Sequence, residues 1–124
     1  MVVVNVRSND MSVLLGKGDG SLADAKSSGL GLTSAPTSLV LADLNRDGRL
    51  DAVAAHGEIH TLSVSYGNED GTFQPPWHLT IADPIRSLAV ADVNGDGELD
   101  IAMTTANSVV GGRVHVFLGT SCGK

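Results

Sequence analysis

A nine-residue pattern occurs twice in the chain, as Asp43-Leu44-Asn45-Arg46-Asp47-Gly48-Arg49-Leu50-Asp51 and as Asp92-Val93-Asn94-Gly95-Asp96-Gly97-Glu98-Leu99-Asp100. Both copies read D-x-N-x-D-G-x-x-D. Side-chain oxygens stand at positions one, three, five and nine, and a glycine stands at position six. A short loop wraps a hard cation in this way: alternate residues turn oxygens inward, and glycine permits the sharp turn. Without a cation, three carboxylates in one short loop repel one another. The competing explanation is an Asp/Asn/Gly-rich turn held by Asx hydrogen bonds, with no metal. Duplication of the full pattern favours the ion, read here as Ca²⁺, two per chain.

The chain has 124 residues, enough for one domain with a modest core. Only 3% of residues are aromatic while 15 are glycine, which favours many short strands and tight turns over a helical bundle. The formal charge of −6 argues against nucleic acid as a partner. Two bound Ca²⁺ would change that charge to about −2, so much of the acidity has a local explanation. Cys122 is the single cysteine, which excludes an intrachain disulfide. No stretch has the ~18–20 apolar residues of a membrane span, so no membrane insertion is expected. Met1–Val4 runs at once into Asn5 and Arg7 and does not read as a signal peptide. Either a leader was removed or the chain is part of a longer one.

Three passages align: one from Met1, one from Asp51 and one from Asp100. Each holds an apolar strand, a polar turn, a second apolar strand and a glycine turn. Their anchors are Ser12–Gly16, Ser63–Gly67 and His115–Gly119. The spacing of about 50 residues falls in the range of propeller blades. One unit reads as four strands. The first covers Ser38–Ala42 and again Ser87–Ala91. The second covers Leu50–Ala55 and Leu99–Thr104. The third covers Met11–Leu15, Thr61–Tyr66 and Arg113–Leu118. The fourth is Trp77–Ile81, with a weaker copy inside Leu22–Leu32. Asp19-Gly20 and Asp70-Gly71 suit the turn between third and fourth strands. Ser27–Thr37 reads as a loose loop between units, and no segment has sustained helical periodicity. The expectation is an all-β chain of ten strands. It divides into a partial unit (1–33, strands two to four), a complete one (34–82) and a second partial one (83–124, strands one to three).

The Asp loops, their flanking strands and the S-V-x-x-G-x-x-D-G turn resemble the FG-GAP/VCBS repeat. That repeat builds the calcium-binding β-propellers of integrin α-subunits and of many bacterial secreted proteins and lectins. The resemblance covers nearly the whole chain and is most specific at Ala42–Ala54, Ala91–Met103 and Ser12–Ser21. It implies four-stranded antiparallel blades, with the Asp loop joining strands one and two and binding Ca²⁺. The implied side-chain ligands are Asp43, Asn45, Asp47 and Asp51, then Asp92, Asn94, Asp96 and Asp100. The carbonyls of Arg49 and Glu98 would add the position-seven ligand. An EF-hand would need a bidentate Glu at position twelve, where Ala54 and Met103 stand, and flanking helices. Dockerin-type loops also need a helix. A family propeller has several blades, so this chain would close a ring with copies of itself, a dimer being the simplest symmetric case, or with the rest of a larger propeller.

Other residues carry weaker signals. His56, His60, His78 and His115 do not stand at zinc-ligand spacing and read as ordinary surface or turn histidines. No nucleophile elbow, zincin motif or P-loop is present, and metal-committed carboxylates are poor catalysts, so no enzymatic activity is expected. Phe73 and Trp77 read as packing between units; on a rim they could instead stack on sugars. Three functions follow: a non-enzymatic adhesion or protein-interaction module with structural calcium, a glycan-binding lectin, or a non-catalytic fragment of a larger enzyme. Modest-affinity calcium loops fill outside cells, which points to an extracellular or cell-surface setting.

Overall fold

The computed structural model describes residues 2–5, 10–29, 36–107 and 111–119. They form ten strands in three antiparallel sheets. The first sheet is β1 (Val2–Asn5), β2 (Asp10–Val13) and β3 (Lys26–Gly29), in that order. The second is β4 (Ser38–Ala42), β5 (Asp51–His56), β6 (Thr61–Ser65) and β7 (Trp77–Thr80). The third is β8 (Ile85–Ala91), β9 (Asp100–Asn107) and β10 (Gly111–Phe117). Each sheet is a simple meander with the form of a propeller blade. Among the described residues the one helical segment is a 3₁₀ turn, Gly57–Ile59.

The strands lie close to the expected places, with one change at the first unit. Ser27–Gly29 belong to β3 rather than to a loose loop, and residues 30–35 of that expected loop lie outside the described residues. Cys122 does too.

The centre of the molecule is β5, in which every residue is buried. Val53 and Ala55 join Leu62, Val64, Ile85, Leu88 and Met103 in the cluster between the second and third sheets. Ala52 and Ala54 turn the other way, against Met11 of the first sheet. Alternation along a strand that is covered on both faces gives the continuous apolar run seen in the sequence. The alanines also explain how three sheets stack closely with few aromatics. Truncating Leu62, which is fully buried, would cost about 2–5 kcal/mol.

The aromatics divide. Phe73 packs on the Met11 cluster, as expected, but Trp77 is 45% exposed on the outer strand β7. The histidines divide too. His56 is not a surface residue: it is fully buried, and its Nε2 lies 3.0 Å from Ser63 Oγ, which lies 3.0 Å from Nδ1 of the exposed His78. In the third sheet the same places hold Thr105 and His115, with Oγ1 and Nε2 3.2 Å apart. The imidazole and the hydroxyl have changed strands while keeping contact.

Candidate metal centre

The two Asp loops connect β4 to β5 and β8 to β9, at the same end of neighbouring sheets. They have nearly the same internal hydrogen bonds. Asp43 accepts from the N–H groups of Asp47 (3.1 Å) and Gly48 (2.9 Å). Asp92 accepts from Gly95 (2.8 Å), Asp96 (3.2 Å) and Gly97 (2.7 Å). Asn45 Oδ1 and Asn94 Oδ1 each accept from the N–H of the following aspartate, Asp47 or Asp96. Asp47 and Asp96 each accept from the N–H at position seven, both at 2.9 Å. These bonds curl the backbone around the oxygen-bearing side chains. Position six takes the left-handed conformation in both loops (φ 83° and 84°), as the glycine there requires. Position four does so as well, at Arg46 (φ 60°) and Gly95 (φ 77°), a demand the sequence signalled only through Gly95.

Position nine does more than offer a ligand. Asp51 and Asp100 are fully buried. Asp51 accepts from Leu44 N–H (2.8 Å) at one oxygen and Gly67 N–H (2.9 Å) at the other. Asp100 does the same with Val93 N–H (2.9 Å) and Gly119 N–H (2.7 Å). Each aspartate therefore pins the start of its loop and the end of the third strand to the second strand. The third-strand glycine is needed for this contact, because a Cβ on Gly67 would lie 2.2 Å from Leu50 O, and one on Gly119 would lie 2.1 Å from Leu99 O. The sequence marked both glycines as repeat anchors without revealing this partner.

Carboxylate acidity follows these environments. Burial pushes Asp51 above the ordinary carboxylate value; its two N–H donors oppose that, and the charges of Asp47 and Asp43 add to it. Asp92 is lowered, chiefly by Gly97 N–H, and Asp47 chiefly by Arg49 N–H.

The loops differ in one respect. In the second, one oxygen from each of Asp92, Asp96 and Asp100 lies within 4.8 Å of the others. Asp43, Asp47 and Asp51 are not gathered in that way. The Arg49 guanidinium draws Asp47 Oδ2 to 2.9 Å and is itself held by Gly67 O (3.1 Å). Glu98 replaces Arg49 at position seven of the second loop and does not compete for Asp96. Its side chain instead meets Arg46 of the first loop, at 3.1 Å. Three of the side-chain ligands expected from the sequence, Asp92, Asp96 and Asp100, thus converge in the second loop, and their counterparts Asp43, Asp47 and Asp51 do not converge in the first. An all-oxygen set of this kind suits a hard divalent ion such as Ca²⁺.

The FG-GAP-like repeat model matches residues 1–54 and 52–103. The chain belongs to the FG-GAP-like repeat family. Both matches end just past the position-nine aspartate, so the FG-GAP repeat here is the unit that closes with the Asp loop and the start of β5 or β9. FG-GAP repeats often bind calcium and occur in extracellular proteins. No curated protein and no solved structure matches the chain. Among the described residues no helix is long and apolar enough to cross a membrane.

Proposed function

We propose that this FG-GAP chain is a calcium-binding propeller module with a non-enzymatic adhesion or protein-interaction role, working outside the cell. The observation that carries the calcium reading is the convergence of Asp92, Asp96 and Asp100 inside a loop already curled by its own N–H donors. The ligands are Asp43, Asn45, Asp47 and Asp51 in one loop and Asp92, Asn94, Asp96 and Asp100 in the other, with the carbonyls of Arg49 and Glu98. Two ions bind per chain. Their role is structural: an ion that binds only the folded loops stabilises folding in proportion to log[Ca²⁺], by about 2.7 kcal/mol at a hundred times Kd. The loop carboxylates are committed to hydrogen bonds and metal, so the loops themselves offer no free acid or base for catalysis.

The exposed face of the third sheet supports assembly. Val114 (70% exposed) and Val116 (44%) stand where Leu62 and Val64 are buried in the second sheet. A neighbouring sheet would cover them, from a second copy in a dimeric ring or from the remainder of a larger propeller. Native mass spectrometry with Ca²⁺ and with chelator tests both statements. Four calcium-dependent mass increments of one ion each, two per chain, are expected on a dimer. A folded chain that binds no calcium would overturn the reading, and a cooperatively folded monomer would overturn the assembly.

Trp77 favours a second reading. Its exposure beside His78 on β7 suits stacking on a sugar ring. Glycan-array binding lost on Trp77→Ala would establish a lectin.

A further inference from the structure

The end of the sheets opposite the Asp loops holds a cleft of about 450 Å³. It lies where the 3₁₀ turn of the second sheet meets the start of β8. Thr37, Gly57, Glu58, His60, Ile85 and Arg86 line it. Two backbone irregularities supply its side chains. His60 has left-handed angles (φ 56°, ψ 38°) at the end of the 3₁₀ turn, a place where glycine is the usual residue. Arg86 is an extra residue in β8: Ile85 pairs with Thr105 and Ser87 with Thr104, leaving Arg86 without a partner in the ladder. A bulge re-aims the side chain it carries, and backbone strain of this kind collects at ligand sites. Gly57 lets the two segments meet, since a Cβ there would lie 2.8 Å from Ile85 O.

The charges are uncommitted. Arg46, Arg49 and Arg113 each have a carboxylate partner, whereas Arg86 has none among the described residues. Neither Glu58 nor the His60 ring has an ion pair there. The nearby Asp83 is occupied by Arg113 at 3.9 Å.

We propose that this cleft binds the carboxylate of an acidic side chain in a peptide, with Arg86 and His60 as its donors. Arginine presents a planar fork that matches a carboxylate. Glu58 offers an acceptor to a peptide N–H and opposes ligands of higher negative charge, such as phosphate. No Phe, Tyr or Trp lines the cleft among the described residues, which disfavours a sugar. The proposal gives a location to the interaction role above and rests on that role, but it does not depend on calcium.

The test is an NMR titration of the isotopically labelled full chain with the capped tripeptide Gly-Glu-Gly, its Gln counterpart, glucuronate and inorganic phosphate. The Glu peptide is expected to shift the amides of His60 and Arg86, and to bind at least about tenfold more tightly than the other three. Arg86→Gln should weaken it by about tenfold to a hundredfold with the remaining spectrum unchanged. His60→Asn, which tolerates the left-handed backbone, should weaken it less. Equal binding of Glu and Gln peptides, shifts confined to other residues, or tighter binding of glucuronate or phosphate would overturn the proposal. Calcium counting on the same sample reads the metal loops separately, so the two proposals can fail independently.

Discussion

Arg46 Nη1 lies 3.1 Å from Glu98 Oε1, so a side chain of the first Asp loop is fastened to the second loop. Arg46 makes this contact from a left-handed backbone position (φ 60°) that the second loop fills with Gly95. Two small effects oppose each other there. A half-exposed ion pair contributes at most about 1 kcal/mol. A side chain at positive φ costs about as much. Arg46→Gly is therefore expected to stay within about 1 kcal/mol of the parent in urea unfolding. Arg46→Val, β-branched and without the ion pair, should lose about 1–3 kcal/mol. Equal midpoints for the two variants would show that the backbone at position four is not strained.

The contact between Arg49 and Asp47 predicts unequal metal sites. Asp96 is already gathered with its partners, while Asp47 must leave the guanidinium to join Asp43 and Asp51. Isothermal titration with Ca²⁺ should show two steps, the tighter one lost in Asp96→Ala. Arg49→Ala keeps the position-seven carbonyl and frees Asp47, so it should tighten the weaker step several-fold. A weaker step left unchanged or weakened by Arg49→Ala would refute this account.

The glycines at the ends of the third strands give a paired comparison. Gly67→Ala places a methyl group 2.2 Å from Leu50 O, against backbone rather than a movable side chain. The strand must shift, and the Gly67 N–H bond to Asp51 weakens with it. A loss of about 2–4 kcal/mol in chelator is expected. Gly16 occupies the same place in the first unit, yet a Cβ there meets nothing within 4 Å. Gly16→Ala should therefore change stability by less than about 0.5 kcal/mol. Similar losses at both sites would count against the packing described.

Acid should destabilise the calcium-free protein in a defined window. Asp19 and Asp70 are held below the ordinary value of 3.8, chiefly by the side chains of Ser21 and Thr72. Asp47 and Asp92 are lowered by backbone N–H groups. A lowered folded-state pKa gives stability that is present above the unfolded value and lost as pH falls through the folded one. Asp51 acts in the opposite sense: its raised pKa means that its charge opposes folding, and protonation relieves it. Four groups outweigh one, so Tm in chelator should fall as pH drops below about 4. Asp70→Asn should flatten that fall. A Tm that holds steady or rises between pH 5 and 3 would contradict the sign.

Much of the fold was legible because the repeat places the same chemistry at the same strand position three times. The strand ranges Ser38–Ala42 and Ser87–Ala91 located β4 and most of β8, and the Asp loops located the strand connections to within a residue or two, whereas the strand buried throughout proved to be β5. Of the candidate site, the spacing of Asp92, Asp96 and Asp100 in the second loop was legible, and these three are gathered. The sequence did not reveal that Asp51 and Asp100 also pin Gly67 and Gly119, because those partners lie 16 and 19 residues away and meet only through strand pairing. It placed β3 only as a weak strand somewhere inside Leu22–Leu32 and read Ser27 onward as loop, because Lys26-Ser27-Ser28-Gly29 lacks apolar alternation and pairs through its backbone with β2. Burial of His56 was hidden for a similar reason: the Ser63 hydroxyl that makes it tolerable is on the next strand.

The exchanged pair, His56 with Ser63 and Thr105 with His115, has a consequence for how such repeats diverge. A single change on either strand breaks the bond between the two strands, while a matched change on both leaves it intact. Drift at these two places is therefore confined to coupled steps, and copies can lose residue-by-residue likeness without losing a contact.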